Sequence, residues 1–186
     1  MKFVMFDIEA LGPPGVGEIF ALGAVRFDPG TGRILDRFSR NVRPGSGLGG
    51  ELRATCDTLR WALAQSPSVL DQLRDPMSKP FSAVYFEFMA WLGLDDAIAG
   101  PIMLMADDWS DFAWMEFEAH RAGLGGLRRD GIEMYDVSVF GRVEPKERIR
   151  PERGLIKHVA LDDAEAGALD FSARWPLIAD RWIYPL

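Results

Sequence analysis

The sequence predicts an α/β fold: a mixed sheet of three antiparallel strands followed by parallel strands, flanked by helices. Two observations carry this. Three strand-like runs fall within the first 44 residues, joined by turn-forming stretches, and beyond them amphipathic helices alternate with short apolar runs.

The first strand is expected at about 2–9, "KFVMFDIE", and ends in the Gly- and Pro-rich loop "GPPGVG". "EIFALGAVRFDP" reads as a second strand, "DPGTGR" as a hairpin turn, and "RILDRFSRNVRP" as the returning third strand. The Gly-rich stretch 45–50 is a loop without the Lys and following Ser or Thr that a phosphate cradle needs. "TCDTLRWALAQ" is helical, with Cys56 expected as a small core hydrophobe. "SPSVLDQLRD" begins a second helix, Ser66 capping it and Pro67 in its first turn. Pro80 opens a third, "PFSAVYFEFMAWLG". "PIMLMA" is a short buried strand, followed by a helix from about Trp109 to Ala122. A strand near Ile132–Met134 precedes a long helix that begins near His158. Trp61, Trp91 and Trp114 are expected to fill the core, while His120 is expected on the surface.

The length of 186 residues suits one domain, 1–186, with a substantial core. No apolar run approaches a membrane span, the amino terminus does not resemble a signal peptide, and the lone Cys56 allows no internal disulfide. A cytoplasmic protein without a membrane partner is expected. The net charge of −7 argues at first against nucleic acid, yet its distribution is uneven. Residues 142–157 carry six basic side chains, Arg148 and Arg150 among them, against three acidic ones. A basic loop on an acidic body can gather phosphates locally, or can simply be a solvated loop.

The first strand holds an oddity. Asp7 and Glu9 interrupt an apolar run and, two residues apart, point to the same side, roughly 7 Å apart along the strand. Like charges at that spacing repel, and burial raises the cost of charging either one. Two further acidic groups stand at element ends: "ADDWSD", with Asp107, Asp108 and Asp111, and "KHVALDDAEAGALDF", with His158, Asp162 and Asp163. Around the last helix Ala160, Asp163, Ala164, Gly167 and Phe171 share a sector of roughly 100°, which turns Asp163 inward and Asp162 toward solvent. Several carboxylates around one point suit divalent cations such as Mg²⁺ or Mn²⁺, which neutralise the repulsion. Two such ions can stabilise the attacking and leaving oxygens of phosphodiester hydrolysis. A neighbouring His can accept the proton of the attacking water.

The motifs "FDIEALG", "WSDFAWM" and "HVALDDA" together resemble those of the DEDDh 3′–5′ exonucleases, the group that includes proofreading exonucleases and ribonuclease T. The likeness is greatest to small phage-type and bacterial exonucleases, and it extends from about residue 2 to 172. It implies a ribonuclease H-like fold and release of nucleoside monophosphates from the 3′ end of single-stranded DNA or RNA. It implies two ions of Mg²⁺ or Mn²⁺ held by Asp7, Glu9, Asp111 and Asp163, with His158 as general base. It implies that Ala10, where relatives carry Thr, contacts the terminal nucleotide. Arg148 and Arg150 are the candidate phosphate contacts, and Asp107 and Asp108 are rivals to Asp111. A homodimer is a further possibility that relatives suggest. The alternatives are a catalytically silent nucleic-acid-binding or assembly subunit, and a nuclease that cuts internally or processes short oligonucleotides.

Overall fold

The structure, a computed structural model, describes residues 1–46, 50–93, 100–140 and 146–183, with side chains described at all of these but 140, 146–149 and 180–183. The sheet has five strands in the order β3-β2-β1-β4-β5: β1 Lys2–Ala10, β2 Ile19–Asp28, β3 Arg33–Asn41, β4 Ile102–Ala106 and β5 Ile132–Asp136. The pairs β1–β2 and β2–β3 are antiparallel, and β1–β4 and β4–β5 are parallel. This is the mixed sheet the pattern predicts. The β2–β3 turn forms because the Asp28 carboxylate accepts from the Gly30 N–H and the Thr31 hydroxyl, at 2.9 and 2.8 Å.

Helices cover both faces. Val4, Phe6 and Ile8 of β1 point into the larger core, where the Phe6 ring meets Phe112 at 5.1 Å and Phe88 at 6.2 Å. Phe88 belongs to α3 (Phe81–Leu92) and Phe112 to α4 (Trp109–Arg121). The alternate residue Met5 points to the other face, packing with Val25, Phe27 and Met105 under Ala168 and Phe171. Those last two belong to the long carboxyl-terminal helix, α6 (Ala160–Ile183), which follows the short α5 (Lys146–Arg153). A third cluster joins Leu11, Phe20 and Ala160 to Ala62 of α1 (Cys56–Leu63), with α2 (Pro67–Arg74) beside it. Strand alternation therefore turns Asp7 and Glu9, like Met5, toward the α6 face.

Small residues let α6 lie close. The inward sector expected on it is confirmed, with Ala160, Asp163, Ala164, Gly167 and Phe171 all buried. A Cβ on Gly167 would stand 3.1 Å from Met5 Cγ, and one on Gly23 of β2 only 2.2 Å from the Ala160 carbonyl carbon.

Four local expectations are corrected. Cys56 is exposed, because it opens α1 about 120° around the helix from the buried Ala62. The basic stretch is not simply a loop, since Lys146–Arg153 is helical, its Pro151 near the end of that short helix. Ser66 precedes α2, but its side chain makes no capping hydrogen bond. Asp162 is half-buried, not solvent-facing, because its carboxylate accepts from the Ile156 N–H at 2.8 Å. Among the aromatics, Trp61, Trp91 and Trp114 are partly buried against the core clusters, and His120 is exposed. Trp175 docks on Phe3 and Phe171 at 5.3 and 5.8 Å.

Candidate active site

Three elements converge at the carboxyl end of β1. Glu9 lies one residue before the strand's end and is buried, beside a register shift between Glu9 and Ala10. Such a shift re-aims side chains where a ladder ends. The start of α6 brings Asp163, and the segment leading into it brings His158. Ligand-capable atoms of Glu9, His158 and Asp163 all lie within 4.8 Å of one another, and His158 Nδ1 is 3.8 Å from Glu9 Oε1. Asp7, half-buried, stands two residues before Glu9 on the same strand.

Asp111 enters from the first turn of α4. β1 pairs with β4 only as far as Met5, so the strand runs on beyond its parallel neighbour. There the Ile8 N–H donates to the buried Asp111 carboxylate. Asp108, a rival on sequence grounds, is the N-cap of α4 and accepts from the Ser110 N–H at 2.7 Å. Its carboxylate thus closes the helix end, while that of Asp111 is buried and feels the charges of Asp108, Asp163 and Asp136. Asp107 lies toward α6, its Oδ1 3.6 Å from where a Gly167 Cβ would be.

The electrostatics fit a site that wants cations. Burial, followed by the charges of Asp163 and Asp111, pushes the Glu9 carboxyl up to about 8, against a weaker opposing pull from Arg150. Burial, then the charges of Asp108, Asp163 and Asp136, likewise pushes Asp111 up to about 8, with the Ile8 N–H pulling the other way. Burial and mutual repulsion thus favour the protonated forms of these carboxyls, and positive charge supplied to the cluster favours the ionised ones. His158 moves downward from its ordinary value, because burial outweighs the opposing charge of Asp163. The Asp163 charge by itself would raise it, but burial, with the charges of Lys157 and Arg150, outweighs that and favours the neutral imidazole.

His158 is held in an unusual conformation. Its φ of 65° lies in the left-handed region, which a non-glycine residue seldom occupies. Its N–H donates to Asp163 Oδ2 at 2.9 Å, and the Trp61 ring and the imidazole pack nearly perpendicular with centroids 4.8 Å apart. The other Asp163 oxygen is bound by Arg150, both side chains being largely buried. Arg150, expected at a substrate phosphate, is thus paired inside the cluster. Arg148 falls on α5, but its side chain is outside the described ones. Ala10 packs against the larger core.

Two participants escaped the sequence reading. Asp136 ends β5 and adds its charge to the field at Asp111. Gln72 of α2 binds the backbone on both sides of Val159. Asp136 carried a detectable signal, an acidic residue at a strand's carboxyl end. Gln72 carried none.

The mixed sheet and the acidic cluster at the end of its central strand are those expected of a nuclease of ribonuclease H-like α/β fold. Residues 2–175 match the family described as the 3′–5′ exoribonuclease Rv2179c-like domain, and the chain belongs to that family. Solved structures are similar in fold. The nuclease domain of 3′hExo, a DEDDh family member bound to rAMP, superposes with a TM-score of 0.67 at 18% identity, over 94% of this chain and 92% of that one. Cell-death related nuclease 4 gives a TM-score of 0.64 at 15% identity, over 95% of this chain and 64% of that one. Escherichia coli exonuclease I, in a zinc-bound complex with single-stranded DNA, gives 0.68 at 12% identity, over 98% of this chain but only 42% of that one. At such identities the likeness is one of fold. No curated protein matches the sequence. No helix among the described residues is long and apolar enough to cross a membrane.

Proposed function

We propose that the chain is a single-domain 3′–5′ exonuclease that uses Mg²⁺ or Mn²⁺ to release nucleoside monophosphates from single-stranded RNA. The observation that carries it is the convergence of Glu9, His158 and Asp163 within 4.8 Å, beside two further carboxylates. The family description favours RNA. A similar fold binding single-stranded DNA in exonuclease I makes DNA the comparison substrate.

The donor set fits divalent cations. It is built of hard carboxylate oxygens, and burial and mutual repulsion raise the proton affinity of two of its members, which a bound cation would relieve. Asp7, Glu9, Asp111 and Asp163 would hold two ions. When bound, these supply positive charge at the scissile phosphate and at the attacking and leaving oxygens. The neutral His158 imidazole accepts the proton of the attacking water, and packing against Trp61 restricts the ring, whose Nδ1 stands 3.8 Å from Glu9 Oε1. Arg150 exchanges the Asp163 carboxylate for a substrate phosphate as the nucleic acid enters, a geometry its bidentate guanidinium suits. The backbone of Ala10, at the end of β1, borders the place of the terminal nucleotide.

Burying Glu9, Asp111 and Asp163 close to one another is costly, with Arg150 the cation paired to one of them, and a silent binding subunit would have no use for that cost. The test is digestion of single-stranded RNA and DNA, labelled separately at each end, with Mg²⁺ or Mn²⁺. Stepwise loss of 3′ nucleotides from RNA is expected. Internal fragments, or no cleavage of either polymer, would overturn the reading.

A further inference from the structure

We propose that Gln72 is a positioning residue for the reaction, holding the catalytic histidine in place from outside the acidic cluster. It lies on α2, far in sequence from every recognised motif. Its side-chain amide nonetheless makes two hydrogen bonds to the segment that carries His158. Nε2 donates to the His158 carbonyl at 2.8 Å, and Oε1 accepts from the Ala160 N–H at 3.1 Å. One planar group thus spans both ends of Val159.

Each bond meets a need that the local sequence leaves open. Ala160 is the first residue of α6, whose early N–H groups have no partner within the helix. The residue before it is Val159, which has no polar side chain and cannot cap. Gln72 Oε1 supplies the acceptor from another helix. Immediately upstream, His158 sits at φ 65°, a conformation an L-residue keeps only when its surroundings over-determine it. Its N–H is held by Asp163 Oδ2 at 2.9 Å, and its carbonyl is held by Gln72. Anchoring both peptide groups fixes the direction in which the imidazole leaves the backbone, beneath the Trp61 ring.

A single amide in this place has a consequence for catalysis. Proton transfer from water demands that the acceptor stand within hydrogen-bond reach, and a displacement of about 1 Å can slow a reaction on the order of 10²-fold. If Gln72 were lost, the Asp163 bond would still hold the His158 N–H. The carbonyl would be free to rotate, and the imidazole with it. The Gln72 side-chain hydrogen bonds go to the backbone of His158 and Ala160 and not to the proposed metal ligands Asp7, Glu9, Asp111 and Asp163, so its loss should act on the chemical step and not on metal or substrate binding.

The inference rests on His158 being the base, and the experiment separates the two. Gln72→Leu removes both hydrogen bonds. Gln72→Glu keeps the acceptor for the Ala160 N–H but turns a carboxylate oxygen toward the His158 carbonyl, serving as the variant in which α6 stays capped. Both are combined with His158→Ala. Single-turnover cleavage of end-labelled RNA at saturating Mn²⁺ is measured alongside Mn²⁺ affinity by calorimetry and RNA affinity in Ca²⁺. The expected result is a fall of about 10–100-fold in the rate for each Gln72 variant, with both affinities unchanged. Neither change should slow the His158→Ala enzyme further, since residues acting through one group are not additive. Wild-type rates in both Gln72 variants, or an equal fall in the His158→Ala background, would overturn the positioning role while leaving the base intact. A wild-type rate in His158→Ala alone would remove the base and the positioning role with it.

Discussion

Gly23 of β2 faces the backbone of Ala160 so closely that a Cβ would stand 2.2 Å from both the Ala160 carbonyl carbon and the Leu161 nitrogen. Both atoms belong to the first turn of α6, so no side-chain rotation relieves the clash. This contact sets how near Asp163 and His158 come to Glu9. Gly23→Ala should therefore push the start of α6 off the sheet. Overpacking against backbone predicts a loss of about 3 kcal/mol, or a fall in Tm on the order of 6–12 °C for a chain of this size. Thermal melting checks this, and an unchanged Tm would show that α6 is not seated on β2.

Metal binding should be linked to pH. Glu9 and Asp111 rise from their ordinary 4.5 and 3.8 to about 8. Between those values the folded chain holds more protons than the unfolded one, so metal-free stability falls as pH rises through the window. Cations displace the same protons and bind more tightly as pH increases. The Mn²⁺-induced rise in Tm should accordingly be larger at pH about 8 than at about 6. An equal rise at both values would detach these carboxylates from the metal site.

Neighbouring aspartates should differ. Asp163→Asn removes charge from the cluster, and is expected to abolish hydrolysis and weaken Mn²⁺ binding. Asp162→Asn keeps an acceptor for the Ile156 N–H, so hydrolysis and metal affinity should change little. Assays of the two variants side by side decide it, and equal losses would mean that the wrong face of α6 has been assigned to the site.

Arg150 holds the Asp163 carboxylate that the ions need. Removing it in Arg150→Ala should tighten Mn²⁺ binding in calorimetry while raising KM for RNA and flattening its salt dependence. A variant with weaker Mn²⁺ affinity and unaltered KM would assign Arg150 a purely structural place.

His158→Ala is expected to bind Mn²⁺ and RNA, yet to lose roughly 10²–10⁴-fold in single-turnover cleavage. Burial lowers the imidazole's proton affinity, so at saturating metal the acid limb of the wild-type profile should fall below pH ~6.5. Below that limb the imidazole is protonated and cannot accept. An acid limb well above this value at saturating metal would assign the controlling ionisation elsewhere.

Much of the molecule was legible in the sequence because its signals are local. The apolar run of Phe3, Val4, Met5, Phe6 and Ile8 marked the central strand, and the small residues from Ala160 to Gly167 marked the face of α6 that meets the sheet. Asp7, Glu9, His158 and Asp163 stood out as charges where a core was expected. What tertiary structure decided has no local signature. Whether Asp108 or Asp111 turns to the cluster depends on which caps α4 and which meets an Ile8 N–H beyond the end of β4. The direction of the His158 shift required weighing burial against charge, quantities that exist only once α6 is seated. Gln72 bonds the His158 carbonyl across 86 residues of chain. A side chain whose partner is another residue's backbone leaves no trace in that partner's identity, and only the fold brings the two together.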